Sequence, residues 1–243
     1  MLVSAKTDIG MKRSTNQDSF SYGQLENGTV TWAVVCDGMG GMAAGNVASA
    51  SAVEVISSAL EQNLSPKSSA SFVRNLLKTS IESANARVYS MAAENDEMRG
   101  MGTTVVAVVV IKGIAYFAHA GDSRAYLHSG DKLLQITTDH SVVQTLLEKG
   151  QLTEDEAKNH PNKNIITRAL GVASYIDIDF DEREVLEGDT VLLCTDGLTN
   201  CIDDDLIKLA CSDNDFASLA ERLTELANQN GGNDNITVVA VKL

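Results

Sequence analysis

Four aspartates stand where an apolar run of the chain stops, each beside a Gly or an Asn. They are Asp37 in Cys36-Asp37-Gly38, Asp122 in Ala120-Gly121-Asp122, Asp196 in Thr195-Asp196-Gly197 and Asp234 in Asn233-Asp234-Asn235. If the runs are strands of packed sheets, loops at the strand ends can gather the four carboxylates at one rim. Two carboxylates about 4 Å apart repel by roughly 4 kcal/mol at an effective dielectric near 20, so a gathered set needs a cation. Carboxylate oxygens suit a hard divalent ion. Asp-Gly is also a common turn dipeptide, and any one of the four taken alone is better explained as a turn. Their joint appearance beside apolar runs favours the metal site.

The apolar pattern supplies elements that could position them. Residues 30–36 (VTWAVVC) and 103–111 (TTVVAVVVI) are β-branched, almost wholly apolar runs. Lys112-Gly113 links the second run to 114–119 (IAYFAH), a connection short enough for a hairpin. Further strands are expected at 124–128, 133–137, 190–194 and 236–241. Short turns between neighbours imply antiparallel sheets. Helical periodicity marks 44–60, 69–94 and 216–228, the second through Phe72, Leu76, Ile81, Val88 and Met91 with charged residues between them. Strands apolar on both faces must be covered on both, which predicts an α+β fold: a four-layer α-β-β-α sandwich of two antiparallel sheets flanked by helices. Residues 139–171 are more polar, punctuated by Gly150 and Pro161, with a short acidic helix at 153–157. A surface excursion of this length beside a site is a candidate lid or recognition flap.

The chain has 243 residues, of which 44% are hydrophobic and two are prolines, and no segment has a linker's composition. One domain over 1–243 is expected. A formal charge of −14 disfavours nucleic-acid and anionic-membrane partners. No apolar run is long enough to span a bilayer, and residues 1–10 lack a signal-peptide pattern, so a cytoplasmic protein with no membrane insertion is expected. Cys36, Cys194, Cys201 and Cys211 form no CxxC pair, and no chemistry is assigned to them.

Gly38-x-Gly40-x-x-Ala43 is a weak match to the dinucleotide fingerprint. Asp37 would set a negative charge against a pyrophosphate, and the helix that follows leads to another helix instead of a parallel strand. The glycines fit better as a way for the Gly38 carbonyl to approach a metal. Arg13 alone would be a solvated charge; beside a metal cluster its planar guanidinium suits bidentate capture of a phosphoryl group.

Motifs run along the whole chain: RSTNQD at 13–18, CDGMGG at 36–41, GMGTT at 100–104, AGDSRAY at 120–126, TDHS at 138–141, HPNKNIITRALG at 160–171, CTDGL at 194–198 and GGNDNITV at 231–238. In this order and spacing the chain resembles the metal-dependent Ser/Thr protein phosphatases, the PPM or type 2C family, in their compact bacterial form. The resemblance implies two Mg²⁺ or Mn²⁺ ions bridged by Asp37, with Gly38 giving its carbonyl oxygen, Asp196 and Asp234 binding one ion, and Asp18 orienting metal-bound water. Asp122 with Asp196 matches a third, weaker metal position of bacterial members. A water activated by two ions would attack phosphorus in line without a phosphoenzyme, with Arg13 offsetting phosphoryl charge.

The sequence departs from the eukaryotic pattern in two places. Met39 stands where many eukaryotic members carry a His proposed as general acid, so His140, His160 or a metal-bound water would have to protonate the leaving alkoxide. Where they carry Glu this chain has Gln17, whose neutral amide is a weaker ligand and implies modest metal affinity. His119 and His128, in or ending strands, are expected to be structural.

The resemblance implies phosphoserine and phosphothreonine proteins as substrates, a eukaryotic-like Ser/Thr kinase and its targets as partners, and a monomer. Two rivals stand beside it: a regulatory or binding module of the same fold without turnover, and a stress-response phosphatase for an anti-sigma-factor antagonist. The complete set of ligand carboxylates speaks against the first, and the absence of sensory segments against the second.

Overall fold

Along the run that follows Thr104, Val106, Val108 and Val110 face one way and Val105, Ala107 and Val109 the other, and both sets are buried. A strand of that kind lies in the middle of a layered stack. The computed structural model describes residues 1–41, 44–158 and 160–243, Lys158 by its backbone alone. Met42 and Ala43, and with them the end of the Gly38-x-Gly40-x-x-Ala43 pattern, lie outside the described residues, as does Asn159 within 139–171.

In chain order the strands are β1 (Leu2–Asp8), β2 (Asp18–Leu25), β3 (Val30–Met39), β4 (Gly102–Thr103), β5 (Val105–Ile111), β6 (Ile114–Ala120), β7 (Arg124–Ser129), β8 (Lys132–Gln135), β9 (Asp179–Glu184), β10 (Thr190–Cys194) and β11 (Ile236–Lys242). The helices are α1 (Ala44–Asn63), α2 (Ala70–Glu94), α3 (Val142–Glu148), α4 (Glu154–Lys158), α5 (Asp196–Thr199), α6 (Asp204–Cys211) and α7 (Leu219–Gln229). One sheet runs β1-β11-β10-β7-β8 and the other β2-β3-β5-β6-β9, with β4 paired to the end of β3. All the strand pairings are antiparallel.

Between the sheets, Val35, Val106, Val108 and Phe117 meet Leu127, Val191, Leu193 and Val239. Outside the second sheet, Trp32, Val34 and Val109 pack with α1 and α2 through Ala48, Ala52, Ile56, Leu77 and Ile81. Outside the first, Leu192, Val238 and Ala240 pack with α6 and α7 through Ile207, Leu219 and Leu223. The expected four-layer sandwich is the observed one. Ser69 caps α2, its Oγ accepting from Phe72 N at 3.2 Å. Among the described residues no helix is long and apolar enough to cross a membrane.

Apolar runs find the inner strands and one edge strand, β8, and miss the other edges. Strands β1, β2 and β9 were not expected, and each is an edge strand with one neighbour. Strand β9 (DFDERE) is almost entirely solvent-facing, so nothing demands apolar residues there, and its charges discourage pairing with another chain. Helices α3 and α6 were also not expected, and the expected helix at 216–228 begins later, at Leu219. The expected strand 103–111 is broken at Thr104, whose N–H donates to Asp37 O at 2.9 Å while its Oγ1 accepts from Asp37 N at 2.9 Å. Thr104 leaves one ladder in order to hold the end of another.

Candidate active site

Antiparallel pairing in both sheets brings the C-terminal ends of β3, β6 and β10 and the N-terminal ends of β2, β5, β7 and β11 to the same rim. Asp37 is near the end of β3, Asp122 lies two residues beyond β6, Asp196 two beyond β10 at the start of α5, and Asp234 two before β11. All four line one cavity of about 260 Å³, together with Arg13, Gln17, Gly38, Met39, Asn164 and Ile166. The gathering expected from four interrupted runs therefore occurs, with two carboxylates from each sheet.

Asp18 opens β2 directly opposite Asp37 in the strand register. It is 7% exposed, and its Oδ2 accepts from Thr195 Oγ1 at 2.9 Å and Thr237 Oγ1 at 2.7 Å. Those donors leave Oδ1 buried without a hydrogen-bond partner. Asp196 is alike: Oδ2 accepts from Asn200 Nδ2 at 2.9 Å and Oδ1 is buried and unpaired. Unpaired buried carboxylate oxygens are costly unless something positive meets them.

The charges report the same stress. Burial first, then the Asp196 and Asp234 charges, pushes Asp18 up to about 7 against hydrogen bonds from Thr237 and Thr195. Burial followed by Asp196 and Asp139 pushes Asp122 up to about 8. Burial and Asp234 raise Asp196 to about 6. Asp37 is driven well above the carboxylate range by burial and then by Asp18, Asp196, Asp122 and Asp234. A divalent cation relieves each of these shifts, and this donor set of clustered carboxylate oxygens with unpaired lone pairs fits a hard divalent ion.

Gly38 has to be glycine for a reason of space. A Cβ there would lie 2.0 Å from Gly45 O and 2.6 Å from Gln17 O, so the start of α1 packs directly on the strand end. Arg13 reaches the pocket from the N-terminal loop and donates from Nη2 to Asp234 Oδ2 at 2.6 Å. That loop is clamped by Asn235, whose Nδ2 donates to Ile9 O and Thr15 O at 2.9 and 3.0 Å and whose Oδ1 accepts from Gln17 N at 2.8 Å. Thr103 Oγ1 donates to Asp37 O at 2.8 Å, and Thr104 Oγ1 also meets Ser123 Oγ at 2.7 Å. Thr104, Asn235, Thr195 and Thr237 had no expected role. Their signals were membership of the GMGTT, CTDGL and GGNDNITV motifs and position, each lying within two residues of a strand end or a candidate aspartate.

Neither histidine considered as a general acid is on the pocket wall. His160 accepts from Asn162 N at its Nδ1 (3.2 Å), and His140 is buried between Gly121 and Asp179. Met39 lines the cavity and packs toward Gly102, where an added Cβ would meet its Cε at 2.7 Å. His119 and His128 are buried in β6 and β7, and burial lowers both imidazoles. Cys36 and Cys194 are buried in β3 and β10, and burial raises both thiols, Cys194 to about 12.

The sequence matches the protein phosphatase 2C family over residues 11–239. This chain belongs to that family. It is 39% identical to protein phosphatase PhpP of Streptococcus pneumoniae over 244 aligned residues, covering 100% of this chain and 98% of the relative. The serine/threonine phosphatase of S. agalactiae superposes with a TM-score of 0.92 at 37% identity, over 100% of this chain and 99% of that one. The catalytic domain of the phosphatase PstP, solved in complex with two manganese ions, superposes with a TM-score of 0.85 at 33% identity, over 99% and 97%. As a member of this metal-dependent bacterial family the chain is a Ser/Thr protein phosphatase, and phosphoproteins are its substrates.

Proposed function

We propose that the carboxylate pocket removes phosphate from phosphoserine and phosphothreonine with two divalent ions, Mg²⁺ or Mn²⁺, held between Asp37, the Gly38 carbonyl, Asp196 and Asp234. Asp122 with Asp196 would hold a third, weaker ion. The observation that carries this reading is one cavity in which Arg13 faces those carboxylates and in which Asp196 keeps an unpaired oxygen. The ions would supply an acidified water and offset charge on the phosphoryl oxygens.

The chain's own groups do the rest. Arg13, on a loop fixed by Asn235, takes the phosphoryl oxygens in charge-assisted hydrogen bonds. Asp18 acts from behind Asp37 and Asp196, its Oδ1 the acceptor that orients water. Thr104, a hydroxyl on the wall, is engaged with Asp37 N and Ser123, so it is no nucleophile, and water attacks phosphorus directly. With no imidazole among the described residues of the wall, the leaving alkoxide takes its proton from solvent in the cavity.

Residues 139–171 form the recognition flap of a single catalytic domain over 1–243. They reach the pocket through Asn164 and Ile166, and line a neighbouring cavity of about 260 Å³ that shares Asp122 and Asp196. Val143, Leu147 and Ala157 line that cavity together with Glu154 and Lys163, a suitable seat for peptide flanking the phosphoresidue. The protein works as a cytoplasmic monomer opposing a eukaryotic-like Ser/Thr kinase.

Hydrolysis of an aryl phosphate and of a phosphothreonine peptide, with Mn²⁺, Mg²⁺ or EDTA, tests this in wild type, Asp37→Ala and Asp196→Ala. Metal-dependent turnover lost in both variants is expected. Turnover in EDTA, or full activity in Asp37→Ala, would sink the two-ion mechanism. No turnover under any condition with intact metal binding would favour a binding module instead.

A further inference from the structure

His140 is 7% exposed and joins the turn after β6 to residues 139–171. Both backbone groups of Gly121 are taken by this one residue: His140 N donates to Gly121 O at 2.9 Å, and Gly121 N donates to His140 Nδ1 at 3.1 Å. On its other side Gly121, at φ +116°, presses on Thr104, where an added Cβ would meet Cγ2 at 2.6 Å. Asp122 is the next residue, so its carboxylate leaves a turn gripped from two sides. The ring stacks on His119 with centroids 4.6 Å apart, and His119 Nε2 donates to Thr138 O at 2.9 Å. Nε2 of His140 meets Asp179 Oδ2 at 3.2 Å, and Asp179 Oδ1 accepts from Arg168 Nη1 at 2.7 Å. The His140 carbonyl accepts from Thr167 N at 2.7 Å.

His119, His140 and Asp179 bring potential ligand atoms within 4.8 Å of one another, but the Nε2 atoms of both histidines and both oxygens of Asp179 are already engaged in hydrogen bonds. An N–H donor at Nδ1 requires that nitrogen to be unprotonated, so Nε2 carries the hydrogen and donates it to Asp179. It has no lone pair for a metal, and the Arg168 guanidinium, 3.1 Å from Nε2, stands where a cation would enter. Because the ring also stays off the carboxylate pocket, it does not reach a leaving group there.

We propose that His140 is a positioning residue whose Nδ1 fixes the Gly121–Asp122 turn, and so aims Asp122 at the cation site, while Nε2 anchors that hold by donating to Asp179, itself held by Arg168. The inference rests on the reading that Asp122 binds a divalent ion. Two amides separate the ring's two ends. In His140→Asn the side-chain oxygen takes the place of Nδ1 and keeps an acceptor for Gly121; in His140→Gln the amide reaches the Nε2 end and that acceptor is lost.

Mn²⁺ binding to the whole chain, followed by titration calorimetry and by electron paramagnetic resonance of free Mn²⁺, reads the effect without turnover, with Asp122→Ala as reference. His140→Gln is expected to weaken the weakest binding step about ten-fold, as loss of a partner behind a ligand does, leaving the tighter steps alone, and His140→Asn to stay within about two-fold of wild type. Equal shifts in the two variants, or none in His140→Gln while Asp122→Ala weakens that step, would overturn the inference alone. An Asp122→Ala protein with the weak step intact would overturn the reading of Asp122 and this inference with it. Should His140→Gln fail to fold, Asp179→Asn at a half-exposed side chain loosens the same ring from its far end, with about three-fold weakening expected and unchanged binding overturning the inference.

Discussion

Removing divalent ions should make the protein lose stability as pH rises through neutrality, and Asp18→Asn should blunt that loss. Asp18 is buried, with two hydroxyl donors on Oδ2 and none on Oδ1, and its carboxyl is raised from 3.8 to about 7, chiefly by burial. The folded chain holds this proton more tightly than the unfolded chain does. The associated stability is therefore fully present below the unfolded value near pH 4 and is lost as pH rises through about 7. A shift of about three units amounts to about 4 kcal/mol over the whole range, of which roughly 2 kcal/mol falls between about pH 5.5 and about pH 8. For a domain of this size that is a drop in Tm of about 4–8 °C.

The assay is thermal unfolding in EDTA at those two pH values, for wild type and Asp18→Asn. The amide keeps an acceptor oxygen for Thr195 and Thr237 but carries no charge, so the variant should lose about 4–8 °C less than wild type over the interval. Saturating Mn²⁺ should abolish most of the wild-type drop, because the cation offsets the same charges. An Asp18→Asn protein whose Tm falls as steeply as that of wild type in EDTA would refute the placement of this stress on Asp18.

Arg13→Ala should raise KM for aryl phosphate about ten-fold or more, the worth of a charge-assisted hydrogen bond, with a smaller fall in kcat; an unchanged KM would show that Arg13 does not hold ground-state phosphate. Thr104→Val deprives the Asp37 N–H of its side-chain acceptor and should cost about 1–3 kcal/mol in urea unfolding, with Thr104→Ser recovering most of it. A valine variant as stable as wild type would refute that account. His160→Ala should leave kcat within about two-fold, whereas a general acid would show a loss of about 100-fold or more.

The inner strands and the main helices were legible because their signal is local. The unbroken apolar run of β5 and the helical spacing along α2 follow from the strand having to bury both faces and the helix one, whatever their partners are. Edge strand β9 gave no such signal, since its place depends on backbone bonds to β6 and its side chains face water. The four aspartates could be singled out for the same local reason, each standing where an apolar run stops.

What made them a site is decided only by the fold. Register sets Asp18 across from Asp37; loops distant in sequence bring Arg13 to Asp234 and Asn235 to Thr15; hydroxyl donors from Thr195 and Thr237 choose which oxygen of Asp18 stays unpaired. The direction of His140, turned to Gly121 and Asp179 and away from the pocket, is of that kind as well. Sequence alone determined the residue types, their order and the strand ends that carry them. Tertiary structure decided which lone pairs face one another, because orientation and desolvation arise from contacts between segments and not from spacing within one.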